Sequence, residues 1–302
     1  MSKNPVLYCC YNRLQYVKKT LPKLKSLNIK KLYISIDGPK DKKDGLKCKK
    51  VEKFVKKLNF NFPVIYRIKK KNLGCKYGMA ESIDWFFKHE KQGIILEDDI
   101  ICSKDFIKFC DLMLKKYEKN KKIMMVGGTN YDQFINNSSK FFFSKHFLFW
   151  GWATWRSAWK KYDVEMLKWK NIKTQKKLKY KFSQNEFLFL KNRFNELHQN
   201  YKDTWDIQWY FTCIYNDSFS IVPETNLITN IGVHGTHSNE IFETLFLKSG
   251  DFNFKDLSFP KKIQRSILFD SKIYKLTKPE SIIKKIIKKI IFWKSAKKFF
   301  NF

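Results

Sequence analysis

Acidic residues are scarce: 28 Asp and Glu stand against 61 Lys and Arg in 302 residues, a formal net charge of +33. Glycine (11) and proline (7) are sparse as well, which excludes a collagen-like chain or a Gly/Ser-rich repeat. The seven cysteines are odd in number and have no close pairs at metal-ligand spacing, which argues against a zinc ribbon or a disulfide framework. No segment reaches the roughly 18 apolar residues needed to span a bilayer; the longest candidate, 141–155, is broken by Lys145 and His146. No cleavable apolar leader precedes the first strand. C2H2 spacing, RRM-type aromatic motifs and a basic region followed by heptads are all missing. The expectation is a cytoplasmic protein with no specific nucleic-acid partner.

Apolar residues, by contrast, are plentiful. At 43% hydrophobic and 17% aromatic, the chain has the apolar area to offset its ordering entropy and is not disordered. Its length suits one large domain or two modest ones. The charge speaks to partners rather than fold: nucleic acid, an anionic membrane surface and anionic small substrates are each compatible with it. Lysine, the weaker choice for bidentate base or phosphate recognition, far exceeds arginine.

Strands are read at 5–11, 31–37, 62–68 and 93–96, separated by an amphipathic stretch 14–27 and helices over 47–58 and 77–89. This alternation implies βαβ units and a largely parallel sheet flanked by helices, an α/β fold. In open sheets of this kind ligands bind beyond the carboxyl ends of the strands. Asp37 and the cluster Glu97-Asp98-Asp99 both lie at such ends, so two acidic sites converge on one crevice. Beyond it, 105–118 reads as a helix, 123–126 and 219–222 as strands, and 163–200 as a charged helical insertion. The last segment carries an isoleucine face and a lysine face from residue 279 on, with capping-box spacing at Thr277 and Glu280. It reads either as an interfacial membrane helix or as a helix docked on the protein by its isoleucines.

Three adjacent carboxylates after an apolar strand are costly unless something positive neutralises them. A divalent cation, Mn²⁺ or Mg²⁺, shared with a substrate diphosphate would do so; a solvated acidic turn or a helix N-terminus is the alternative.

The stretch Ile94–Cys110 resembles the acidic motif of GT-A glycosyltransferases, specifically the N-acetylglucosaminyltransferase-I-like group. Further segments fit in the same order: the first strand ending in Arg13, the second ending in Asp37, Gly151-Trp152 in an aromatic segment, Trp205-Asp206, and Asn230-Ile231-Gly232 with Thr236-His237. The last also resembles a bacterial branch of sugar transferases and haemolysin-like proteins. The likeness covers roughly residues 5–240.

The resemblance implies a GT-A, nucleotide-diphospho-sugar fold and metal-dependent inverting transfer of a sugar, from a nucleotide donor that is usually a UDP-sugar to a hydroxyl. Asp99 would contact the metal, with His237, ahead of His234, completing its site. Glu97 and Asp98 would face the ribose and base, Asp37 would accept a hydrogen bond from the nucleobase, and Arg13 would lie near the nucleotide unless it is a solvated loop arginine. Asp206 would act as general base on the acceptor hydroxyl, with Asp203 in reserve and a helix-capping role as the alternative. Gly151 and Trp152 would line the sugar or acceptor pocket, with Trp150, Trp155 and Trp159 in the core. The expected organisation is a catalytic domain, 1–240, comprising a nucleotide-sugar half (1–126) and an acceptor half (127–240), followed by a basic amphipathic tail (241–302). The acceptor would be a glycan or lipid-linked glycan of a surface polysaccharide, and residues 279–302 would attach the protein peripherally to the inner membrane face. A nucleotidyltransferase that uses the same sheet to activate a sugar phosphate is a rival; it would favour a glycine-rich loop after the first strand, and Asn12-Arg13-Leu14 is unlike one. A basic membrane- or nucleic-acid-binding protein with a membrane-active C-terminal helix is the alternative to an enzyme.

Overall fold

Strands whose interior positions are all buried belong in a sheet covered on both faces, and β1 (Val6–Cys10), β2 (Leu32–Ile36), β4 (Gln92–Glu97) and β6 (Ile123–Gly127) are such strands. The structure, a computed structural model, describes residues 3–27, 29–131, 137–199, 202–232 and 248–277. His234, His237 and the amphipathic segment from 279 on lie outside the described residues. No helix among the described residues is long and apolar enough to cross a membrane.

The eight-stranded central sheet is mixed and mostly parallel. β3 (Val64–Ile68), β2, β1 and β4 lie side by side in that order, all parallel. β8 (Trp152–Trp155) then enters antiparallel between β4 and β6. β9 (Phe219–Pro223) runs parallel to β6, and β7 (Phe141–Ser144) closes the far edge antiparallel to β9. β5 (Ile100–Cys102) and β10 (Ile228–Asn230) form a separate antiparallel ribbon immediately after the acidic cluster.

Alternate residues of each strand feed two cores. Val6, Tyr8, Ile34, Ile94 and Leu96 face one cluster, which is completed by Val17 of α1 (Leu14–Thr20), Val51 and Val55 of α2 (Lys42–Lys57), and Phe106 and Phe109 of α4 (Lys104–Tyr117). Leu7, Tyr33 and Ile95 face the other, with Ile83 and Phe86 of α3 (Gly74–His89). The segment expected as a helical insertion contains α6 (Ile172–Lys179) and α7 (Gln184–His198), preceded by the single turn α5 (Arg156–Trp159). Phe194 of α7 and Trp169, in the turn before α6, pack on Phe211 of α8 (Asp206–Tyr215).

Residues 248–277, which the sequence assigns to a tail, belong to the folded unit. Phe252 packs on Phe109. Arg265 bridges to Phe143 of β7, and α9 (Ile267–Thr277) stacks Phe269 on Phe142 with ring centroids 4.6 Å apart. α2 starts five residues before the helix expected at 47, because Asp41 caps it by accepting the Asp44 amide.

Candidate functional site

The carboxyl ends of β1, β2 and β4 open on one side of the sheet into a cavity of about 1540 Å³. Arg13, Asp37, Glu97, Asp98, Asp99 and Asp206 all line it. The parallel register of β1 with β2 and β4 brings the first five to one edge.

Arg13 serves as a clamp on the acidic turn. Its guanidinium donates to both oxygens of Asp98 and, at 3.0 Å, to Asp99 Oδ2. Burial opposes its charge, but Asp98 and Asp99 outweigh burial and hold it protonated. Asp98 is 2% exposed, and its carbonyl accepts the Thr20 hydroxyl, which also bonds Tyr8. Asp98 lines the cavity with its carboxylate paired to Arg13. Glu97 and Asp99 are only half-buried. Burial and then the Asp99 charge push the Glu97 carboxyl up, with Arg13 opposing and Asp206 adding to the rise.

Asp37 is tied into the loop that follows β3. Asn72 Nδ2 and the Leu73 amide donate to its Oδ2 at 3.0 and 3.3 Å, while its Oδ1 is buried without a hydrogen bond. Of the basic loop 69–76, two lysines are structural: Lys69 donates to the Gly78 carbonyl and Lys76 pairs with Glu165.

Across the cavity, α8 begins at Asp206, whose carboxylate accepts the Thr204 hydroxyl and sits at the positive end of the helix. Trp205 fixes this start by stacking on Trp152, centroids 5.4 Å apart. Trp152 is thus a floor residue. It is 1% exposed and packs among Trp159, Trp205 and Trp209, so the expectation that it lines the pocket is corrected. Gly151 takes φ +64°, and a side chain there would collide with Ile228; its role is to turn the chain. Trp150, expected in the core, lines the cavity together with Phe149 and Tyr131, while Trp155 and Trp159 are buried as expected.

Three residues hold the site in ways the sequence did not show, Asp203 among them, which was expected only as a reserve base. Asp203 caps α3 from 128 and 127 residues away, accepting the Cys75 and Lys76 amides at 2.8 Å each. Gly74, at φ +72°, leaves room for that carboxylate. Gly232 packs so closely on Asp99 that a side chain would displace it, and the Ile231 amide donates to the Asp99 carbonyl at 2.9 Å.

Among the described residues no three His, Cys, Asp or Glu converge as a metal cage. Asp98 is committed to Arg13, which leaves Asp99 and Glu97 facing the cavity. One or two carboxylates completed by substrate phosphates is the usual setting for Mg²⁺. Among the described residues this donor set of two carboxylates is too small for a protein-only site and fits a cation whose remaining ligands a substrate would supply.

No protein-family model matches the chain, and no curated protein matches it. Among solved structures it is similar to HddC from Yersinia pseudotuberculosis, at 10% identity over 51% of this chain and 77% of that one, with a TM-score of 0.32. It is also similar to the inositol-1-phosphate CTP transferase of T. maritima, at 11% identity over 91% of this chain and 95% of that one, with a TM-score of 0.40. At these values neither bears on the chemistry of the cavity.

Proposed function

We propose that the chain is a GT-A-type glycosyltransferase that moves a sugar from a nucleotide diphosphate donor, a UDP-sugar, to a hydroxyl of a glycan or lipid-linked acceptor. The observation that carries this reading is the placement of Asp37, Glu97 and Asp99 at strand ends on one wall of a large cavity, with Asp206 lining the same cavity from α8. Nucleotides bind at this end of open α/β sheets, and a half-buried Glu97 beside Asp99 calls for positive charge.

In this reading Asp37 and Asn72 hold the nucleobase end, and Arg13 keeps the Asp98-Asp99 turn in place. Asp99, with Glu97 near it, would hold Mn²⁺ or Mg²⁺ against the diphosphate; when bound, the ion supplies positive charge to the leaving group. Asp206 takes the proton of the acceptor hydroxyl. The freed oxygen lone pair forms the bond to the anomeric carbon as the bond from that carbon to the diphosphate oxygen breaks, and the nucleoside diphosphate departs with that electron pair. Attack from the side opposite the diphosphate inverts the centre. His237 would be a further metal ligand. An anionic membrane surface would engage residues 279–302.

Calorimetric titration of the full chain with UDP, with and without Mn²⁺ and beside Asp99→Ala, tests the donor site. Micromolar binding that needs both the ion and Asp99 is the expected result. Metal-independent, salt-sensitive binding that survives the substitution would mean diffuse attraction to a +33 surface and would remove the enzyme reading.

A further inference from the structure

The cavity extends past Asp206 into an arm walled by α7, α8 and α9 and lined by Phe147, Phe189 and Tyr210. The donor chemistry makes no use of this arm. Most of its charged groups are already matched: Lys202 pairs with Glu196 at 2.5 Å, and Lys145, beneath it, pairs with Glu186 at 2.8 Å. Arg193 is different. Half-buried on α7 and lining the arm, it makes no ion pair or hydrogen bond among the described residues. Its guanidinium lies over the Phe189 ring, 5.4 Å from the centroid.

A guanidinium laid on a ring is held in orientation and loses water from one face, and its fork of donors matches a carboxylate or phosphate. Its position relative to the chemistry follows from α8. Asp206 and Tyr210 are four residues apart, so they project from one helix face with Cβ atoms about 5–6 Å apart. Arg193 is near enough to Tyr210 for its charge to offset part of the rise that burial, Glu186 and Asp270 impose on that phenol.

Building on the glycosyl-transfer reading, we infer that this arm takes an acceptor bearing an oxyanion, a carboxylate or a phosphate, on the Tyr210 side of the hydroxyl that Asp206 deprotonates, with Arg193 as its bidentate partner. Selectivity follows from the same geometry. Water can solvate Arg193 while the arm is open, but a neutral acceptor would displace that water and leave the guanidinium unpaired, which disfavours neutral sugars.

The test uses the full chain saturated with UDP and Mn²⁺, titrated with two matched pairs of probes: methyl β-glucuronide against methyl β-glucoside, and glucose 6-phosphate against glucose. The pairs separate a carboxylate source from a phosphate source. Wild type should bind one or both anionic probes about tenfold or more tightly than the neutral partner, the scale of a lost charge-assisted hydrogen bond. Arg193→Gln should erase that preference, and Arg193→Lys should keep part of it. No preference in wild type, or a preference that persists in Arg193→Gln and fades only with salt, would overturn the assignment. UDP titration of the same proteins is read separately. Absence of UDP binding in wild type would refute the transferase reading, whereas absence of the anion preference in wild type, or its persistence in Arg193→Gln, with UDP binding intact would refute only the role of Arg193.

Discussion

His146 gives the most quantitative check on the packing behind the cavity. It is 6% exposed, and its Nε2 lies 3.1 Å from the backbone carbonyl of Asp270. A carbonyl only accepts, so Nε2 carries the hydrogen and Nδ1 accepts from the Tyr210 hydroxyl at 3.2 Å. The neutral ring is fully used. Burial, with Lys145 adjacent and Arg265 further off, pushes its pKa down to about 3 from 6.5, against the opposing bond to Asp270. Glu186 Oε1, at 3.5 Å from Nε2, is the acid facing the ring.

A histidine with a depressed pKa binds its proton only in the unfolded chain between about pH 3 and 6.5, so its stabilisation is present above 6.5 and lost as pH falls. Between pH 7 and 5 the loss is about 2 kcal/mol, from 1.36 kcal/mol per pH unit of full protonation difference. Asp270 works in the opposite direction. Burial lifts its pKa to about 6 from 3.8, against bonds from Ser144 and Lys145. Its contribution is fully present below pH 3.8 and lost as pH rises through 6, so acidifying from pH 7 to 5 returns about 1.3 kcal/mol. Wild type should thus lose only a fraction of a kcal/mol in this window from the two groups together. Urea unfolding at pH 7, 6 and 5 reads the outcome. Relative to wild type, His146→Gln should gain about 2 kcal/mol on acidification, and Asp270→Asn should lose about 1.3 kcal/mol. Profiles for both variants that run parallel to wild type would refute the neutral, buried assignment of this cluster.

Two further substitutions separate structural from chemical roles. Asp203→Ala removes the carboxylate that accepts the Cys75 and Lys76 amides and should lower stability by about 1 kcal/mol or somewhat more in denaturant unfolding, with Asp203→Asn milder. Trp152→Ala should cost about 3–5 kcal/mol by opening a cavity among Trp159, Trp205 and Trp209; milder variants such as Trp152→Phe should leave UDP affinity within about twofold in calorimetry, since the ring does not reach the cavity wall.

The parallel strands were legible because a doubly covered sheet leaves no polar alternation: β1, β2, β4 and β6 each read as apolar runs. The acids at 37 and 97–99 were legible as a site because the strand-end rule follows from topology alone. β7 and β8 were hidden inside the aromatic run 141–160. Their antiparallel partners are β9, β4 and β6, up to about 80 residues away, and no local period announces such pairing. Trp152 was misplaced for a related reason. An aromatic after glycine suits a pocket wall and a core equally, and the left-handed turn at Gly151 decides which. Asp203 sits where a cap of its own helix would be expected, yet its carboxylate serves α3, and only tertiary structure brings those amides to it.

The acids of the cavity divide by how each is balanced, and that division is what directs attention to chemistry. Asp98 has Arg13, Asp203 has two amides at the positive end of a helix, and Asp37 has Asn72 and a backbone amide. Glu97, Asp99 and Asp206 are less completely balanced. Asp99 shares Arg13 with Asp98, Asp206 receives only the neutral Thr204 hydroxyl among the described residues, and the charges of Asp99 and Asp206 both help push Glu97 up. Repulsion of this kind works against the compact state. In a chain with more than two bases for every acid, lysines could have relieved it, as Lys69 and Lys76 do nearby. Instead the three carboxylates share a cavity with room for a nucleotide and a sugar. A strained cluster of one sign in a large cleft is best accounted for by a ligand that brings the opposite charge, because its binding recovers stability that the empty fold forgoes.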